Sequence, residues 1–195
     1  MKKYSKRLEK ISDQIYFLLD NNKKVLVKDF GWENHVWNSH FFSWAHLEKF
    51  CTDKVSVLHC VIMPHSNSSA PIYGFDVIEI SGHLTGMFLD LTSVDGQQYP
   101  IQPVGQKREV PDWADFFSPY FICCKPEEKD LQSGVDVLKD YLKLLPSLTN
   151  VDYRPQQQSY INGQRRNPQT FKMLKSHIGK EKAAEFIEQI LFPNV

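Results

Sequence analysis

Apolar residues near the start of the chain recur three and four positions apart: Leu8, Ile11, Ile15, Leu18 and Leu19. That spacing predicts an amphipathic helix over residues 5 to 20. The period then changes. Residues 24 to 30 (KVLVKDF) read as a strand, and residues 38 to 50, rich in aromatics, as a helix. Residues 54 to 63 (KVSVLHCVIM) form an apolar run that stops at Pro64, and the polar stretch HSNSSAP follows as a loop. Residues 72 to 80 (IYGFDVIEI) and 83 to 91 (HLTGMFLDL) read as two strands parted by Ser81-Gly82. So short a turn predicts antiparallel pairing.

The segment VDGQQYPIQPVGQKREVPDW, with three prolines, reads as a long polar loop, and residues 118 to 125 as a further strand. Residues 127 to 145 predict a helix with Leu138, Leu142 and Leu145 on one stripe. Residues 148 to 166 are polar and Gln-rich and read as a loop. Two helices, about 168 to 177 and 180 to 191, are separated by Gly179. Strands in the middle and helices at both ends predict an α/β fold: a three-layer α/β/α sandwich around a central antiparallel sheet. At 195 residues, one domain over 1–195 is the simplest division.

Charge narrows the function. Net charge is zero, which argues against a general nucleic-acid or membrane-surface binder. Its distribution is uneven. Residues 1 to 28 carry eight Lys/Arg, and residues 163 to 182 carry six against Glu181. These basic ends form either a dock for an acidic partner, if they meet on one face, or solvated helix faces. Cys51, Cys60, Cys123 and Cys124 contain no CxxC pair, which disfavours a metal or iron–sulfur site and fits free thiols in a reducing compartment. The N-terminus lacks a signal-peptide apolar core, and no run approaches the ~18 apolar residues that span a membrane, so a cytoplasmic location is expected.

Two polar residues interrupt core strands. His59 is in phase with Val55, Val57 and Val61; Asp76 is in phase with Ile72, Gly74, Ile78 and Ile80. A buried carboxylate needs a partner, a ligand or a raised pKa. On neighbouring strands the two form a proton-handling pair; taken singly, His59 is a satisfied core histidine and Asp76 a strand-end residue. Glu48 and His46, in AHLEKF, read as surface groups on a helix. Phosphate loops, HExxH, a dinucleotide fingerprint and a Ser-His-Asp spacing are all missing from the sequence.

Five ordered blocks carry a resemblance: WENH (Trp32 to His35) with HLE (His46 to Glu48), LHCVIMP (Leu58 to Pro64), YGFD (Tyr73 to Asp76), VPDWADFFSPYF (Val110 to Phe121) and QRRNPQTFKMLKSHIG (Gln164 to Gly179). Together they resemble the ferredoxin-dependent bilin reductases, nearest to the phycocyanobilin-forming branch. The resemblance implies reduction of biliverdin to a phycobilin, most simply phycocyanobilin, by single electrons from reduced ferredoxin and proton donation through bilin radicals. It implies no bound cofactor, a monomer, and bilin held between the sheet and the C-terminal helices. Phycoerythrobilin formation and a non-catalytic bilin carrier are the alternatives. Carried over by motif, Asp76 and His59 are the central proton donors, and Glu48 protonates the D-ring vinyl. Arg108 and Thr85 hold a propionate, and His46, Val61 and Asn167 complete the substrate site. The chain starts late against the family pattern, and its Glu48–His59 link is one residue shorter than in the nearest members, a departure that bears on where Glu48 sits and which vinyl group is reduced, and so on the product more than on the reaction class.

Overall fold

The computed structural model describes residues 4 to 194. Eight antiparallel strands form one sheet: β1 (Lys23–Val25), β2 (Glu33–Asn38), β3 (Phe42–Cys51), β4 (Val55–Pro64), β5 (Ile72–Ile80), β6 (His83–Thr92), β7 (Gln106–Lys107) and β8 (Ile122–Lys125). Their spatial order is β1-β2-β3-β4-β5-β6-β8-β7. Helices α1 (Lys6–Leu19) and α2 (Gln132–Leu144) cover one face. Helices α3 (Arg154–Arg165), α4 (Pro168–Ile178) and α5 (Lys180–Phe186) cover part of the other, and the chain beyond α5 widens into a π-helical turn, Ile187–Leu191. The expected three-layer α/β/α sandwich with a central antiparallel sheet is therefore observed. No helix among the described residues is long and apolar enough to cross a membrane.

The face under α1 and α2 is a dry core. Leu8, Ile15 and Leu19 of α1 are fully buried against Leu47, Leu58, Cys60 and neighbouring sheet residues. Each such side chain contributes about 1.5–3 kcal/mol through burial. From α2, Gly134 admits the Phe75 ring so closely that a Cβ there would lie 2.4 Å from it, and the Tyr73 hydroxyl donates to the Gly134 carbonyl at 2.9 Å. Strand β4 is buried on both faces over nearly its whole length, which explains its unbroken apolar run. Strands β5 and β6 are joined by Ser81-Gly82, whose φ angles of 50° and 80° give the doubly left-handed turn that matches sheet twist.

Several expectations need correction. Residues 38 to 50 are not helical: Phe42–Cys51 is strand β3. The Gln-rich stretch expected as a loop forms helix α3. The first expected strand shrinks to Lys23–Val25, and a strand not anticipated, β2, follows it. The long polar loop carries the two residues of β7 and a single 3-10 turn, Asp112–Ala114. The helices of the two basic ends do not share a sheet face among the described residues. Helix α1 packs on one sheet face and α4 and α5 on the other, while Lys28 reaches α5 only to pair with Glu185 at 2.7 Å. Lys2 and Lys3, counted in the N-terminal cluster, lie outside the described residues.

Candidate active site

Register brings the polar residues together. In antiparallel strands, residues directly opposite one another share a face. Asn34 pairs with Glu48, Glu48 with His59, His59 with Asp76, Asp76 with Phe88, and Phe88 with Cys123. These six residues form one row straight across β2, β3, β4, β5, β6 and β8, on the face that carries α3, α4 and α5. The adjoining row runs Val36, His46, Val61, Gly74 and Asp90. Glu48 and His46 are therefore not surface groups on a helix: they are 4% and 0% exposed.

Cover over this face is incomplete. Above β2 to β4 the helices bury His46, Glu48, His59 and Val61. Above β5 and β6 they do not: Gly74, Asp76, Ile78, Thr85 and Phe88 are half-exposed, whereas Tyr73, Phe75 and Val77 on the opposite face of β5 are fully buried. A trough results, floored by the row. One wall is aromatic, with Phe117 and Phe121 stacked at 4.0 Å, Phe121 over Phe88 at 6.2 Å, and Phe116 edge-on to Tyr160 at 5.5 Å. Tyr160 of α3 approaches the floor at Gly74, where a Cβ would lie 3.2 Å from its hydroxyl. A cavity of about 250 Å³ behind this wall, lined by Thr92, Tyr99, Phe116 and Phe117 among others, does not include His59 or Asp76.

At the centre, His59 Nδ1 lies 2.6 Å from Asp76 Oδ1. Burial opposes a charged imidazole at His59, but the Asp76 charge and hydrogen bond, helped by Glu48, outweigh it and raise its pKa. Its Nε2 is buried without a partner, and the ring meets Phe192 edge-on at 5.9 Å.

The neighbouring His46 behaves oppositely. Asn34 donates its amide to the Trp32 carbonyl at 3.1 Å, so its side-chain oxygen is the acceptor facing His46 Nε2 at 2.9 Å. That network assigns the proton to His46 Nε2 and leaves Nδ1 as a bare lone pair, buried and unpartnered. Burial drives the His46 pKa well down, so the ring is neutral. The two imidazoles are 5.5 Å apart, each with one unsatisfied nitrogen: Nε2 of His59, whose pKa is raised, and the acceptor Nδ1 of His46.

Glu48 completes the row. Burial pushes its pKa from 4.5 up to about 7, against the opposing pull of His59 and a hydrogen bond from Trp32, while Asp76 adds to the rise. A carboxylic acid poised near neutrality suits proton donation.

The remaining expected residues lie elsewhere on this framework. Thr85 is the extra residue of a bulge, since Ile78 pairs with Gly86 but Glu79 with Leu84. Its hydroxyl donates to the Ile78 carbonyl at 3.1 Å, and its own carbonyl accepts from Arg108 at 2.7 Å. Thr85 and exposed Arg108 are thus together at the rim of the trough. Asn167 is engaged as the N-cap of α4, accepting from the Gln169 and Thr170 amides at 3.0 and 3.5 Å.

Sequence reasoning passed over Trp32, Asn34, Tyr160 and Asp90. Trp32 stood in the WENH block, but nothing in its spacing tied it to Glu48. Asp90 is buried and accepts from Thr92 and from both the amide and hydroxyl of Ser118, fastening the aromatic wall to β6. Its place as an acid in an apolar strand, like that of Asp76, was the available signal.

Comparison with known proteins gives a consistent result. The profile of the ferredoxin-dependent bilin reductases matches residues 16–193. Phycocyanobilin:ferredoxin oxidoreductase of Prochlorococcus marinus (strain MIT 9303) is 29% identical over 161 residues, which cover 71% of this chain and 61% of that protein. The enzyme of the same name from Trichodesmium erythraeum (strain IMS101) is 23% identical over 184 residues, covering 82% and 75%. Among solved structures, tomato phytochromobilin synthase in complex with biliverdin superposes with a TM-score of 0.70 at 17% identity, over 97% of this chain and 83% of that one. A protein named PcyX gives 0.69 at 22% identity, over 96% and 99%. At these identities, the two structures establish the shared fold.

Proposed function

The chain belongs to the ferredoxin-dependent bilin reductases, and we propose that it uses single electrons from reduced ferredoxin to reduce biliverdin to a phycobilin, phycocyanobilin in the first instance. One observation carries the reading: a row of proton-bearing groups, Glu48–His59–Asp76, crosses the sheet in register beneath a half-open aromatic trough. With strands spaced about 4.8 Å apart, the row from β3 to β6 makes a floor roughly 14 Å long, open over β5 and β6 and roofed by helices over β3 and β4. Such a floor suits a flat, extended conjugated ligand, and the stacked rings of Phe88, Phe121 and Phe117 offer it an aromatic flank.

Each two-electron reduction of a carbon–carbon double bond consumes two electrons and two protons. In this reading the electrons arrive singly from the partner, and this chain's residues deliver the protons at fixed positions. Asp76, the most accessible of the three, faces the trough and hydrogen-bonds the pyrrole and lactam nitrogens or oxygens of the bilin. His59 stays charged through Asp76 and returns a proton to it after each transfer. His46, neutral and 5.5 Å from the His59 ring, keeps a bare lone pair beside the pair. Glu48, kept protonated by burial, serves the ring over β3 and donates to its vinyl group. Arg108, at the trough rim, pairs with a propionate.

The test is an anaerobic assay with biliverdin and reduced ferredoxin, followed by chromatography of the products. Phycocyanobilin supports the full reading, and phycoerythrobilin keeps the reaction class but moves the reduced positions. A spectral shift on adding biliverdin without any reduction identifies a carrier and rejects the enzyme.

A further inference from the structure

Glu48 accepts its one side-chain hydrogen bond, among the described residues, from the indole of Trp32: Nε1 lies 2.7 Å from Oε1. Indole N–H is a donor and never an acceptor. The oxygen it touches must therefore accept in every protonation state of Glu48. When Glu48 is neutral, the carbonyl oxygen is the stronger acceptor, so the indole favours Oε1 as carbonyl and the proton on Oε2, which takes no other hydrogen bond among the described residues. Trp32 is itself held rigidly. It lies edge-on to Phe50 of β3 at 5.2 Å, to Phe186 of α5 at 4.8 Å and to His177 of α4 at 6.1 Å. Its donor is thus fixed by three elements, and the segment before β2 delivers it to the site.

We propose that Trp32 is a positioning residue for proton delivery: its N–H selects which oxygen of Glu48 carries the transferable proton and aims that oxygen at the substrate. This rests on the reading that Glu48 is a proton donor. Without the indole N–H, the buried acid has two equivalent oxygens, and its proton is distributed between them and between rotamers. Removing the donor also leaves burial less opposed, so the Glu48 pKa rises further. The charged and titratable groups around Glu48 are His46 on its own strand, His59 of β4, Asp76 of β5, Tyr4 before α1 and, beyond the Trp32 ring, His177 of α4. None of them is altered by the substitutions that follow.

Trp32→Phe keeps the aromatic contacts and deletes the donor. Replacement of Trp32 by its benzothiophene analogue, in which sulfur takes the place of N–H, preserves the whole ring shape and guards against a packing defect. Two measurements are made on both variants with Glu48→Gln as reference. In infrared difference spectra, the carboxylic C=O band that disappears in Glu48→Gln shifts to higher frequency when the N–H is lost. In the anaerobic assay, the step that depends on Glu48 slows at least tenfold at neutral pH, releasing a partly reduced bilin. The alkaline limb of its pH profile also moves upward. A C=O band and product ratio unchanged in the benzothiophene variant overturn the proposal. If Glu48→Gln itself leaves the products unchanged, the proton-donor reading fails first; if only Glu48→Gln changes them, Trp32 alone is excluded.

Discussion

Glu48 is expected to lower stability where it is charged, and replacing it by Gln tests this directly. The folded protein protonates Glu48 at about 7 and the unfolded chain at the ordinary 4.5. At about 1.4 kcal/mol per pKa unit, the difference corresponds to about 3 kcal/mol. Between those two values the folded state holds a proton that the unfolded state has released. Stability therefore falls as pH rises, beginning near 4.5 and complete once pH passes 7. Gln has nearly the same volume, still accepts from Trp32 through its amide oxygen, and never ionises. Glu48→Gln should match the parent near the lower end of that window and exceed it by up to about 3 kcal/mol near pH 8. Part of this gain is offset, because the Glu48 charge helps to keep His59 protonated. The assay is urea unfolding of the ligand-free protein, followed by circular dichroism at both ends of the window. A pH-independent difference, or a variant less stable than the parent near pH 8, would refute the claim that burial holds Glu48 as a neutral acid. The same substitution should stop reduction before the D-ring vinyl, so a gain in stability would accompany a loss of chemistry.

Asp76→Asn removes the charge and the 2.6 Å bond that keep His59 protonated, so burial then lowers the His59 pKa. The variant should bind biliverdin with a normal spectral shift yet stall as a long-lived radical, seen by electron paramagnetic resonance; ordinary turnover would remove Asp76 from the mechanism. Asn167→Ala deletes the N-cap of α4 and should cost about 1 kcal/mol in thermal unfolding, whereas Asn167→Asp keeps the cap. Lost turnover in Asn167→Asp at full stability would show a substrate role separate from capping. Gly134→Ala places a methyl 2.4 Å from the fully buried Phe75 ring. Overpacking at the upper end of about 1–3 kcal/mol outweighs the gain of about 1 kcal/mol in helix propensity, so the unfolding midpoint should fall; an unchanged midpoint would show that Phe75 yields freely.

Elements whose burial alternates in simple ways were legible in the sequence. Helix α1 shows one stripe to the core, and β5 alternates between a buried and a half-open face. Strand β3 was not legible because its polar residues point inward. Trp44, His46, Glu48 and Phe50 share the site face, while Ala45, Leu47 and Lys49 share the other. A strand that buries a histidine and a glutamate shows no clean two-residue period. Helix α3 was hidden for another reason: few of its residues are buried, and one of them, Gln157, is held by hydrogen bonds to the Pro64 and His65 carbonyls. Of the site, the His59–Asp76 pairing followed from phase on adjacent strands. The position of Glu48 did not, because it depends on β3 being a strand. Trp32 did not either, because its contact with Glu48 crosses from the segment before β2.

The link between Glu48 and His59 gives register its sharpest consequence. A residue removed from within a strand turns every side chain beyond it to the opposite face. Here Glu48 stands directly opposite His59, and pairing continues without a shift from Trp44–Met63 to Cys51–Ser56. The connection between the two strands is the turn Thr52 to Lys54. The Thr52 amide donates to the Val55 carbonyl at 2.7 Å, and its hydroxyl accepts from the Val55 and Lys54 amides at 3.0 and 3.3 Å. With the turn closed on itself, the ladder above it is free to keep its alignment. Glu48 consequently sits in the row on the trough side, opposite His59. What decides the fate of its proton is then local: the burial that keeps it on the acid and the indole that chooses its oxygen.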